Sequence, residues 1–146
     1  MSGLLVPTKE DDLTNFKSWW LSNRYFNPIC MTNVADEHGM ILYRENEYQV
    51  ELFMMEPNST IVPHIHPNVD SYEVYLCGDI RFMCNDIWYE NNTLYSDIRI
   101  LPNSWHGGEF GANGGAFLSV QKWLNGVEPK FVGDDWVGKD GSEKYE

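Results

Sequence analysis

Three of the chain's four histidines, His64, His66 and His106, have the types and spacing of a metal site. His64 and His66 stand two apart in the apolar, β-branched run Ile61-Val62-Pro63-His64-Ile65-His66. Side chains alternate faces along a strand, so both imidazoles would point the same way, with backbones about 7 Å apart. Their ring nitrogens can then converge on one ion. His106 follows the turn residues Pro102-Asn103-Ser104, where a closed sheet can bring it back beside the first pair. Three neutral imidazoles leave coordination positions open, as a catalytic metal centre requires. A lone histidine would read as a packed or hydrogen-bonded side chain; the paired spacing and the third histidine after a strand-end proline favour metal. His38, within Asp36-Glu37-His38-Gly39, lacks that context and reads as a surface residue.

Other chemistries find little support. The sequence shows no Ser-His-Asp order, phosphate loop or zinc-ribbon spacing. Ten Lys and Arg against twenty-two Asp and Glu give a formal charge of -12, which repels phosphate backbones and anionic lipid surfaces. Neither nucleic acid nor a membrane is therefore expected as a partner. No apolar run approaches the roughly 20 residues of a spanning helix. Met1 to Pro7 lacks the basic start and apolar stretch of a signal peptide. Cys30, Cys77 and Cys84 are odd in number, without CxxC spacing, which suits free thiols in a reducing cytoplasm better than a disulfide framework. On the same grounds the two glycosylation-like triplets, at Asn58 and Asn91, are set aside. Cys77 and Cys84, with strand neighbours, read as small apolar residues.

The elements that must position the histidines are mostly strands. With 146 residues and 42% hydrophobic content, one packed domain is expected. A helix is predicted over residues 8–21. It would start at Thr8 and Asp11 and lay Leu13, Phe16, Trp20 and Leu21 on a sheet; the Trp19-Trp20 pair reads as packing. From Met40 the period changes. Tyr48, Val50, Leu52 and Met54 alternate with Gln49 and Glu51, the pattern of a half-buried strand. Further strands are predicted at 61–66, 71–77, 80–84, 87–89, 98–101 and 116–124, separated by turn residues that include Gly78-Asp79 and Asn85-Asp86. The glycine-rich run 107–115 fits either a long hairpin connection or a mobile lip beside His106. Many short strands with a single leading helix indicate an all-β sandwich or barrel. The predicted organisation is a lead-in of residues 1–39, a barrel of 40–124 and a tail of 125–146, partly pinned by Phe131 and Trp136.

The stretch 58–78 resembles the first motif of the cupin superfamily: Gly, five residues, His-x-His, three or four residues, Glu, six residues, Gly. Asn58 stands at the first Gly, and Asn tolerates the same left-handed backbone. His64, His66 and Gly78 fall in place. The stretch 96–106 resembles the second motif, with Ser96 for its Gly, then Pro102 and His106. Its loop is one residue shorter than usual, and the motif's closing Asn falls on Phe110. The resemblance implies a single jelly-roll β-barrel with a short N-terminal helix. It also implies a mononuclear divalent transition metal, Fe(II) first, with Zn, Ni or Mn as other choices.

The family's glutamate ligand is missing: Ser71 occupies its place. Asp70 is adjacent on the opposite face, and Glu73 lies one pleat further along. Three schemes follow. The site is three-His, with Ser71 outside the coordination shell or bonded to it through water; or a bulge brings in Glu73; or a loop rearrangement brings in Asp70. The three-His form resembles cupin dioxygenases acting on small molecules. A metal-dependent isomerase, epimerase or lyase is the alternative enzyme, with Glu73 or Tyr75 as proton carrier. A non-catalytic module that binds a small molecule or builds a larger assembly is the remaining class. A barrel mouth filled by Trp105 or Phe110 would favour that module; open volume beside the metal would favour catalysis. Tyr72, Val74 and Leu76 make one strand face apolar while Tyr75 and Cys77 occupy the other, so a homodimer or higher oligomer is expected to cover the outer face.

Overall fold

The computed structural model describes residues 12–23, 39–90 and 92–142. Thr8, Asp11, His38 and Cys30 lie outside them. Helix α1 spans Leu13–Asn23. Its cap is Asp12, whose Oδ1 accepts the backbone N–H of Asn15 at 2.8 Å. Leu13, Phe16, Trp19 and Trp20 are all buried, so both tryptophans serve packing.

Among the described residues seven strands follow: β1 (Gly39–Glu45), β2 (Tyr48–Met55), β3 (Thr60–His64), β4 (Val69–Cys84), β5 (Ile87–Tyr89), β6 (Asp97–Ile100) and β7 (His106–Trp123). All pairings are antiparallel, in the order β1-β2-β7-β4-β5, with β3 on β7 and β6 on β4. The spine is the β4–β7 ribbon, which pairs from Val69↔Trp123 to Cys84↔His106. Its N-terminal β4 half joins β6 and, through β7, β2 and β1. Its other half joins β5 and, through β7, β3. The ribbon bends in the middle, so that side chains of both halves line one cavity. This is the jelly-roll barrel of the cupin fold.

The bend corrects two readings. Gly78-Asp79 does not end a strand; β4 runs through it, with register shifts at Tyr75/Cys77 and Gly78/Ile80. Gly78 has φ +93°, and a Cβ there would stand 2.3 Å from the Gly114 carbonyl oxygen. The run 107–115 is neither a lip nor a loop but the first half of β7, held by β3 and β4 on either side. Its glycines allow close backbone approach: a Cβ on Gly107 would meet the Ile61 carbonyl at 2.7 Å. Asn58 has φ 60°, the left-handed conformation expected where the motif has glycine. The Asn85-Asp86 turn has positive φ at both residues, as a two-residue hairpin needs.

The half-buried reading of β2 also needs correction, because Tyr48, Gln49, Val50 and Glu51 are all buried. Tyr48 and Val50 pack outside the barrel, with Val74, Leu118 and Val120, beneath the helix residues Phe16 and Trp20. Gln49 and Glu51 face inward with Phe53. Tyr72 and Leu76 belong to the outer cluster too. α1 covers part of the face whose exposure motivated an oligomer: Val74 is buried there, while Tyr72 and Leu76 are half-buried. Cys77 is exposed and Cys84 half-buried, both as free thiols, so Cys77 is not the packed apolar residue expected.

Candidate metal centre

His64 closes β3, His106 opens β7, and the two are register partners. His66 follows β3, and its segment is held by backbone hydrogen bonds to Val137 and Asn103. The Ile65 N–H donates to Val137 O at 3.1 Å, and the Asn103 N–H donates to His66 O at 3.0 Å. All three histidines are buried, and one ring nitrogen from each lies within 4.8 Å of the others. They form a group that could hold a metal ion.

The ring orientations suit that use. His64 Nδ1 donates to Val62 O at 2.5 Å, and His106 Nδ1 donates to Ser104 O at 2.7 Å. A proton fixed on Nδ1 leaves the Nε2 lone pair bare, the arrangement that backbone carbonyls impose on ligating histidines. His64 Nε2 and His66 Nε2 stand 3.0 Å apart. Two nitrogens about 2.1 Å from one ion at a right angle would be about 3 Å apart, so the pair fits a shared divalent transition ion. His66 Nδ1 is buried without a hydrogen-bond partner.

Burial holds all three imidazoles neutral. Desolvation, then the neighbouring His106, lowers His64 to about 3 against the pull of Val62 O. His106 is lowered to about 4 by burial. His66 is pushed well below its ordinary value by burial and by the other two imidazoles. Neutral rings are what a metal requires.

The histidines line a cavity of about 90 Å³ whose other walls are mainly apolar, including Phe53, Ile61, Phe82 and Phe117. Glu73 is also on this wall. Its Oε1 accepts from Ser71 Oγ at 3.1 Å and Ser119 Oγ at 3.3 Å, while Oε2 is buried without a partner. Burial raises the Glu73 carboxyl to about 7, despite the two hydroxyls and with a further push from Glu51. Glu73 lies outside the histidine group, and Ser71 is bonded to Glu73. Asp70 is paired with Arg99, Oδ1 at 2.7 Å from Nε and Oδ2 at 2.6 Å from Nη2. Tyr75 donates its hydroxyl to Gly78 O at 2.8 Å and borders a different hollow. Phe110 packs with Ile80 and Phe117, and Trp105 is not part of the cavity wall.

Two contributors escape a sequence reading. One is a buried polar layer in the barrel interior. Glu51 Oε1 accepts from Gln49 Nε2, Gln121 Nε2 and the Val132 N–H, and Gln121 Nε2 continues to Ser119 Oγ. The strict alternation of Gln49 and Glu51 with apolar residues was its one signal, and it pointed to solvent. The other is the role of Trp136, expected only to pin the tail: its ring stacks on His64 with centroids 3.8 Å apart and planes 15° from parallel.

A cupin barrel carrying a buried three-histidine group is the class that this fold and site define. No protein-family model matches the sequence, and no curated protein matches it. Solved structures agree on the fold. The structure of KdgF from Halomonas sp. superposes with TM-score 0.57 at 10% identity, over 64% of this chain and 84% of that one. An uncharacterized conserved protein with a double-stranded beta-helix domain from Klebsiella pneumoniae gives 0.55 at 18%, over 73% and 98%. An RmlC-like cupin from Shewanella frigidimarina gives 0.53 at 13%, over 60% and 76%. Among the described residues no helix is long and apolar enough to cross a membrane.

Proposed function

We propose that this protein is a mononuclear metalloenzyme that acts on a small molecule, with His64, His66 and His106 holding one divalent transition metal. The observation that carries this reading is the convergence of three buried, neutral imidazoles, two with their Nδ1 protons engaged by backbone carbonyls. The ion, Fe(II) by preference, would supply Lewis acidity and open positions for a chelating substrate and oxygen, which suits dioxygenase-type chemistry. The protein would supply the rest. The Val62 and Ser104 carbonyls orient two ligands, and apolar walls keep bulk water from the reacting groups.

A second reading, isomerase, epimerase or lyase chemistry, has one specific support. Glu73 lines the same cavity with a carboxyl raised to about 7 and one free oxygen, the property of a group that accepts and returns a proton near neutrality. Tyr75 has no comparable support, since its hydroxyl is occupied by Gly78 O.

Elemental analysis of purified wild type and of His64→Ala, His66→Ala and His106→Ala tests the centre. Near-stoichiometric metal in the wild type and a drop of about tenfold or more in each variant is expected. Equal metal in all four proteins would remove the reading. Oxygen consumption against substrate turnover in anaerobic buffer then separates the two chemistries.

A further inference from the structure

The cavity's walls come from paired strands except on one side, where the C-terminal segment crosses it with Val132 and Trp136. That segment is tied down at three points. Gln49 Nε2 donates to Lys130 O at 2.5 Å, the Val132 N–H donates to Glu51 Oε1 at 3.0 Å, and Ile65 and Val137 exchange both backbone hydrogen bonds at 3.1 and 3.0 Å. Between these ties the short 3-10 helix Val132–Asp135 delivers Trp136 onto the face of His64. The same ring lies 6.3 Å from His66, so it covers the paired histidines together.

The segment also carries unsatisfied buried polar atoms, as the His66 and Glu73 walls do. Trp136 Nε1 and Asp135 Oδ2 are both buried without a hydrogen-bond partner. Each such group costs about 1–3 kcal/mol relative to a paired one. The strands opposite are held by antiparallel ladders on both sides. A change at Trp136 should therefore alter the shape of the cavity without loosening the barrel.

We infer that Trp136 is the specificity-determining residue of this cavity: its indole roofs the histidines and limits what reaches them to small molecules that fit beneath it. The inference deepens the function proposed above but concerns access to the histidines, so it is tested without metal.

Dialkyl dicarbonates acylate neutral imidazole and come in graded sizes. Chelator-treated wild type, W136F and W136A would be treated with diethyl pyrocarbonate and with bulkier di-tert-butyl dicarbonate. Modification of His64 and His66 is followed by peptide mass spectrometry, with each rate normalised to that of N-acetylhistidine. The wild type should disfavour the bulkier reagent by about tenfold or more, W136A should lose most of that discrimination, and W136F should fall between. Circular dichroism and the unfolding temperature check that the barrel is intact. The same size discrimination in wild type and W136A, with the fold intact, would overturn the inference. Should W136A not fold, W136F and W136L carry the comparison, and unchanged discrimination in both would overturn it equally. Failure to bind metal would sink the proposed centre and leave this result standing.

Discussion

Ser71 donates its hydroxyl proton to Oε1 of Glu73 over 3.1 Å, both side chains lying on the buried inner face of β4. A serine one pleat away thus helps orient the one carboxyl that the described residues place on the cavity wall. Glu73→Gln keeps an oxygen for Ser71 and Ser119 but cannot exchange a proton. Metal content should stay within about twofold of wild type if the histidines alone hold the ion, while turnover by proton transfer should fall by about a hundredfold or more. Metal lost in Glu73→Gln alone would make Glu73 a ligand.

Ser71→Glu sets a second carboxyl against Glu73 in a buried site. Like charges at hydrogen-bonding distance cannot both ionise there. The variant should unfold more readily than wild type above neutral pH, by about 2 kcal/mol or more. Denaturant titration at pH 6 and pH 8 checks this, and the gap between the proteins should widen at the higher pH.

The stability of metal-free protein should peak near neutrality. His64 and His106 have folded values of about 3 and about 4 against an ordinary 6.5. His66 is lowered as well. The unfolded chain therefore binds more protons than the folded one below pH 6.5, and stability is lost as pH falls through that window toward the folded values. Glu51 and Glu73 act oppositely: both rise from 4.5 to about 7, so the folded state retains protons that the unfolded state has released. Their contribution is full below pH 4.5 and is lost as pH rises through 7. Glu73→Gln should remove part of that alkaline loss, gaining about 1–3 kcal/mol on wild type between pH 5 and pH 8. Unfolding free energies across that range give the slope directly.

Gly78→Ala should be severely destabilising, by about 3 kcal/mol or more, since it combines a left-handed backbone with a collision against backbone atoms that cannot move aside. The collision is at 2.3 Å from Gly114 O and 2.4 Å from Gly115 Cα. A thermal melt is sufficient; a variant that melts with the wild type would mean that the ribbon bends elsewhere.

Phe16→Ala should cost about 3–5 kcal/mol. Phe16 is fully buried, stacks on Tyr48 with centroids 4.4 Å apart, and meets the tilted ring of Tyr43 at 5.5 Å. If α1 is what covers the outer sheet face, the same variant should also begin to self-associate, which sedimentation at two concentrations will reveal.

The histidines were legible in the sequence because their evidence is local. A two-residue spacing in a β-branched run fixes a common face whatever surrounds it, and a proline followed by a third histidine marks where another strand begins. Asn58 and Gly78 were legible through the resembled motif, which has glycine at both places, although Gly78 bends a strand rather than ending one. What faces what was not legible. Alternation separates the two faces of β2 but cannot say which is outside. Tyr48 and Val50 went beneath a helix from the start of the chain, while Gln49 and Glu51 turned inward to a polar layer completed by β7. The glycine-rich opening of β7 looked loose because glycine lacks side-chain contacts, yet its order comes from ladders on both sides, with partners dozens of residues away. Trp136 was legible only as an apolar residue that pins the tail, not as a partner of the histidines. Its place over His64 depends on Val137 pairing with Ile65 across the whole barrel, a contact that only the closed tertiary fold can make.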